Sequence, residues 1–123
     1  MSEPDDHRPA GALAAEISNE VVRILRAQTG RGPTQARTTI SGDLVACLLH
    51  DTLTVGERTL VRTGHAQSVL DTRKLYQAAM RSDLTAAVEN LTRRRVIAFM
   101  SDNHIDPDTA IEAFILEPRR PPR

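Results

Sequence analysis

The segment Thr29-Gly-Arg-Gly-Pro-Thr-Gln-Ala-Arg-Thr-Thr-Ile-Ser-Gly-Asp-Leu-Val-Ala-Cys-Leu-Leu49 constrains this chain more than any other. A helical pattern stops at Gly30, a short Gly/Pro/Arg loop turns the chain, and two extended runs follow around Gly42-Asp43. A Gly-X pair between two strands suits a two-residue type II′ turn, because glycine takes the positive φ of its first position. Helix, loop and hairpin in that order point to an α+β protein. The second run, Leu44-Val-Ala-Cys-Leu-Leu49, is apolar on both faces. It is therefore expected at the centre of a sheet, or with one face against a partner subunit.

Upstream, Leu13, Ile17, Val21 and Ile24 lie on one helical face flanked by Glu16, Glu20, Arg23 and Arg26. With Pro9 suited to the first turn and Gly30 to the C-cap, the first helix is expected over about residues 10–29. Downstream, Thr54-Val-Gly-Glu57 has capping-box spacing and opens a short helix, about 55–63. A longer helix is expected from Ser68 as N-cap, with Asp71 at its third position. Its apolar line is Val69, Tyr76, Met80, Leu84, Ala87 and Leu91, with Ala79 and Val88 beside it. About 25 residues gives a rod of roughly 37 Å, long enough to cross a four-stranded sheet. The last unit is a second hairpin, Arg95–Met100 and Ala110–Leu116, joined by a loop over 101–108. The order α-β-β-α-α-β-β predicts a four-stranded antiparallel sheet of two hairpins with helices packed on one face. Residues 10–117 are read as one domain, residues 1–9 as a disordered arm and residues 118–123 as a disordered Pro/Arg tail.

Composition narrows the function classes. Of 123 residues only 2% are aromatic, so the core is aliphatic, and so few rings argue against a base-stacking platform for single strands. Formal net charge is zero, which leaves no global field toward nucleic acid or anionic lipid. The basic residues are nearly all Arg, with Lys74 the lone lysine; a GC-rich coding bias explains this better than a set of anion-binding forks. Cys47 is the one cysteine, so neither an intrachain disulfide nor a thiolate metal site forms, and its apolar strand suggests a buried thiol. No run approaches the ~18–20 apolar residues of a membrane span. The expectation is a soluble, cytoplasmic protein without cofactor or metal.

Four features carry candidate chemistry. Gly30-Arg31-Gly32-Pro33 could cradle an anion, with Arg31 and Arg37 supplying charge. A nucleotide phosphate loop, however, precedes a helix and carries Gly-Lys-Ser/Thr, whereas here a helix ends and a strand begins, so a cap and turn is preferred. Asp102, His104, Asp106 and Asp108 occupy alternate positions and invite a metal reading, but no closing Glu and no second His accompany them. Asp and Asn in hairpin loops also bond their own backbone, which is the simpler account. Arg93-Arg94-Arg95 is a local basic run at a helix C-terminus, where cations are favoured anyway. The histidines at 7, 50, 65 and 104 have no sequence-linked nucleophile, so an enzyme would need a composite His/Asp site assembled by folding, which stands as a second alternative.

The chain resembles the MpsC family of bacterial proteins. The resemblance rests on Ile17-Ser-Asn-Glu-Val-Val-Arg23, Gly30-Arg-Gly-Pro-Thr34, Ala36-Arg-Thr-Thr-Ile-Ser-Gly-Asp-Leu44 and Asp51-Thr-Leu-Thr-Val-Gly-Glu-Arg-Thr-Leu60. It continues through Met80-Arg-Ser-Asp-Leu84, Leu91-Thr-Arg-Arg-Arg-Val-Ile-Ala-Phe-Met-Ser101 and Phe114-Ile-Leu-Glu-Pro118, spanning about residues 13–118. One departure stands at Arg93, where the family pattern often has Gly; this predicts a strained left-handed cap or a different helix exit. The resemblance implies a link to a membrane-potential-generating, cation-translocating system related to inorganic-carbon uptake, and brings no catalytic residues. A protein without a span could serve there as an accessory or regulatory subunit. The expectation is a non-enzymatic protein acting through contacts with a protein partner, such as a membrane transport complex, and forming a homo-oligomer. The alternative is a phosphate- or nucleic-acid-binding regulator. The candidate ligand residues are Arg31, Arg37, Arg94 (within 93–95) and His104.

Overall fold

A computed structural model describes residues 9–119. The expected N-terminal arm and C-terminal tail lie outside the described residues, apart from Pro9 and residues 118–119. Helix α1 spans Ala10–Thr29, as the spacing predicts. The Pro9 carbonyl accepts from the Ala12 and Leu13 amides. At the other end Gly30 takes the left-handed conformation (φ 79°) and donates to the Arg26 carbonyl at 2.9 Å. The first hairpin is β1, Gln35–Ser41, and β2, Leu44–His50. At its tip Gly42 has φ 57° while Asp43 stays out of the positive region, as a II′ turn requires.

Helix α2, Val55–Arg62, opens with the expected capping box: Glu57 N–H donates to Thr54 Oγ1 and Thr54 N–H to Glu57 Oε1. Helix α3 spans Ala66–Thr92, so it begins earlier than expected. Gly64 (φ 87°) turns the chain so tightly that the His65 amide still reaches the Leu60 carbonyl at 2.8 Å. Helix restarts at once, and Ser68 lies inside α3 instead of capping it.

The second hairpin is β3, Val96–His104, and β4, Thr109–Leu116. Strand β3 runs on through Ser101, Asp102, Asn103 and His104, which pair with Glu112, Ile111, Ala110 and Thr109. Half of the expected 101–108 loop is therefore strand, and the turn that remains contains a cis Asp106–Pro107 bond. Polar residues at a strand end share the composition of a loop; the ladder shows which they are.

The sheet order is β1-β2-β4-β3, antiparallel throughout, so the two hairpins lie side by side and join through β2 and β4. Helix α1 packs toward β1, α3 toward β3, and the two helices pack on each other. The core lies between them and one sheet face: Ile17, Val21, Val45, Leu49, Leu84, Val88 and Phe114 are fully or almost fully buried. Phe99 and Phe114 meet with ring centroids 5.2 Å apart and tilted by 44°. Along α3 the buried residues are Val69, Met80, Leu84, Val88 and Thr92, whereas Tyr76 is exposed.

Alternation leaves the other sheet face uncovered by helix. Leu44, Leu48, Met100 and Ile111 project there, each between 39% and 54% exposed; Ile97, 55% exposed, lies at the register shift of β3 between Val96 and Ala98. The register aligns the projecting residues in cross-strand rows. One row reads Arg37, Leu48, Ile111, Asp102 across the four strands, and the next reads Thr39, Ala46, Ala113, Met100.

Candidate functional site

Where β2 and β3 end, the helices and the sheet splay apart around a cavity of about 290 Å³. Its walls come from Leu25 and Gln28 of α1, Tyr76 and Met80 of α3, Leu49 of β2, and Ala110 and Glu112 of β4. Arg31, Thr52, Glu57, Arg73 and Asn103 also line it, and they belong to three hydrogen-bonded clusters centred on Arg73, Arg31 and Asp108.

Arg73 forms the first cluster. Its Nε and Nη2 fork onto Glu57 at 2.9 and 2.7 Å, Nη2 also donates to the Thr52 carbonyl at 2.8 Å, and Nη1 donates to Thr52 Oγ1 and Asn103 Oδ1 at 2.9 and 3.0 Å. These five bonds use every N–H the guanidinium has. Arg73 thereby pins α3 to α2, the β2–α2 link and β3, and keeps no donor for a ligand. Burial pushes the Glu57 carboxyl up, but hydrogen bonds from Arg73 and the Thr54 amide, with the charge of Arg73, leave it below its usual value.

Arg31 forms the second cluster. Its Nη1 donates to the Asp51 and Leu53 carbonyls at 2.8 and 3.1 Å, and its Nη2 to Asp51 Oδ2 at 2.9 Å. Arg58 takes the other Asp51 oxygen at 2.6 Å. The hydrogen bond from Arg31 holds the half-buried Asp51 carboxyl below its usual value. The Gly30–Pro33 loop is thus a cap and turn whose arginine is turned inward on the protein's own carbonyls. In the third cluster Asp108 accepts from the Thr52 amide and hydroxyl and from the Leu53 amide, at 2.9, 2.8 and 3.0 Å.

Glu112 is the unusual group. It is 3% exposed, its Oε1 accepts from the Ser101 hydroxyl, and its Oε2 has no partner in the structure. Burial raises its pKa to about 7, against the hydrogen bond from Ser101. It faces Cys47 across the β2–β4 ladder, and burial likewise pushes the Cys47 thiol up. Sequence reasoning passed over Glu112 although the signal was there: it is in phase with Ala110, Phe114 and Leu116, the inward residues of β4.

The four ligand residues proposed from sequence do not come together. Arg31 sits at the cavity rim. Arg94 lies at the opposite end of β2, roughly 20 Å along the strand, where it donates to the Gly42 and Glu117 carbonyls at 3.1 and 2.9 Å and pairs with Asp43. Arg37 is on β1, on the uncovered sheet face. His104 is at the end of β3 on that same face; its Nδ1–H donates to the Pro107 carbonyl at 2.9 Å. Arg93 has φ 57°, the left-handed cap that a residue replacing Gly would need. Of the alternate acidic positions, Asp102 lies on the uncovered face while Asp108 is engaged by Thr52 and Leu53. Among the described residues no three His, Cys, Asp or Glu side chains are grouped to hold a metal ion.

A family model described as "Na+-translocating membrane potential-generating system (MpsC)" matches residues 10–118. Comparison with curated proteins and with solved structures gives no match.

Proposed function

The chain belongs to the MpsC family, and from that premise we propose that it is a small non-enzymatic accessory or regulatory protein of a membrane-potential-generating, Na+-translocating system. It acts on the cytoplasmic side through protein–protein contacts, in a system related to inorganic-carbon uptake. Among the described residues no helix is long and apolar enough to cross a membrane, and in this reading other chains supply the ion path.

The observation that carries the reading is the sheet face without helices. Leu44, Leu48, Met100 and Ile111 present side chains of branched or long aliphatic character on one rigid surface. Apolar patches of this kind on a small protein mark sites of protein contact. By contrast, the arginines that a phosphate- or nucleic-acid-binding regulator would use are spread over both ends and both faces, and three of the named groups bond the protein's own carbonyls.

The test is affinity capture from the native host with membranes retained. Wild-type protein is expected to recover subunits of an ion transporter, and Leu48→Glu, which places a charge on the uncovered face, is expected to lose them. Recovery that is indifferent to Leu48→Glu, or no transporter subunit at all, overturns the reading.

A further inference from the structure

We infer that the uncovered sheet face is closed by a second copy of this chain, about a two-fold axis running parallel to the strands between β2 and β4. This rests on the reading of that face as a contact surface and names its occupant.

The argument starts from charge. Arg37 and Asp102 stand at opposite edges of the face but in one cross-strand row, with Leu48 and Ile111 between them. Among the described residues no carboxylate forms an ion pair with Arg37. Two sheets can stack face to face with strands nearly aligned or nearly orthogonal. In a symmetric pair the two-fold axis then lies in the interface plane, either along the strands, across them, or diagonally. An axis along the strands between β2 and β4 lays β1 of one copy over β3 of the other and keeps each row over itself. Arg37 then opposes Asp102 of the second copy at both edges, and Leu48 opposes Ile111. An axis across the strands lays β1 over β1, so Arg37 meets no acid. The diagonal axes of orthogonal packing turn this row across itself, so the Arg37 edge of one copy is not laid over the Asp102 edge of the other. Only one of these arrangements satisfies both charges.

Size and shape agree. Four strands of about seven residues present a footprint of roughly 450 Å², so two copies cover about 900 Å² before side-chain relief is counted. Relief raises the accessible area to the lower end of specific interfaces, about 1,000–1,200 Å² in total. In the adjoining row the two central residues are Ala46 and Ala113, small enough to let the sheets approach while Leu48 and Ile111 interdigitate beside them.

Sedimentation velocity on the full chain tests this. Wild type is expected at twice its 13.6 kDa chain mass, measured up to roughly 100 µM so that an interface with micromolar Kd is populated. Arg37→Asp and Asp102→Arg each bring two like charges together twice, and each is expected to weaken self-association at least about tenfold. Mixing the two variants regenerates an opposite-charge contact at both edges, so the mixture is expected to form heterodimers near wild-type affinity. Both substitutions are on exposed positions, and unchanged far-UV spectra and melting confirm that the fold survives. A wild type that stays monomeric overturns the proposal, as does a dimer that neither charge reversal weakens, or a mixture that does not reassemble. A monomer that still recovers transporter subunits, and loses them on Leu48→Glu, overturns the second copy while leaving the contact-surface reading standing. A dimer that recovers none has the opposite meaning.

Discussion

Glu112 links burial to pH at a single residue. Its pKa is near 7 in the fold against an ordinary value of 4.5, so the folded state holds a proton that the unfolded chain has released between those limits. Stability from this group therefore falls as pH rises from about 4.5 to about 7 and is flat above, by an amount on the order of 3 kcal/mol. Glu112→Gln keeps an oxygen for the Ser101 hydroxyl and removes the titration. Urea denaturation is expected to show the variant more stable than wild type at pH 8 and close to it near pH 5; equal midpoints at pH 8 would refute the assignment. Glu57 acts in the other direction. Its carboxyl is held below 4.5, so its contribution is present above that value and is lost as pH falls through its folded pKa.

This residue also shows how far the sequence could be read. The alternation of β4 carried the inward signal of Glu112 without its being read, whereas the spacing of Thr54 and Glu57 gave the capping box. The partners of Arg31, Arg73 and Arg94 were not legible, because each bonds carbonyls brought near by turns 20 or more residues away. A charge in a sequence looks the same whether a ligand or the protein's own backbone will meet it.

At the scale of elements, the ends of helices and strands decide most of what differs from the pattern. Periodicity located α1 and the core side of α3, since both follow from 3.6-residue repeats. It did not locate the start of α3 or the end of β3, where Gly64 and the β4 ladder, not local composition, set the boundary. The end of α3 is strained. Arg93 adopts φ 57°, a conformation that costs an L-residue about 1–2 kcal/mol and glycine little. After the larger unfolded-state entropy of glycine is set against this, Arg93→Gly is expected to stabilise the chain by about 0.5–1 kcal/mol. For a chain of 123 residues that is a rise in Tm of a few degrees, at roughly 3–5 °C per kcal/mol. Calorimetry checks it, and a lower Tm would show that the Arg93 side chain contributes more than its backbone costs.

At the scale of the whole molecule, the chain is built twice on one plan. α1 with β1 and β2 forms one unit, and α3 with β3 and β4 forms the other, with α2 and Gly64 between. Inside each unit the strands that pair are close in sequence. Between the units the sheet continues through β2 and β4 alone, from Leu44 opposite Ile115 to His50 opposite Thr109. That makes the β2–β4 ladder, with the α1–α3 packing above it, a seam. A polypeptide divided at the exposed turn after Gly64 keeps the strand pairing of its own hairpin in each fragment, and loses the covalent tether and the His65–Leu60 bond at the cut. The two pieces, produced together, are expected to zip into one sheet with the far-UV spectrum of the intact chain, the lost tether showing as a concentration-dependent melting temperature. Pieces that stay apart would mean that the link through α2 does more than span the distance.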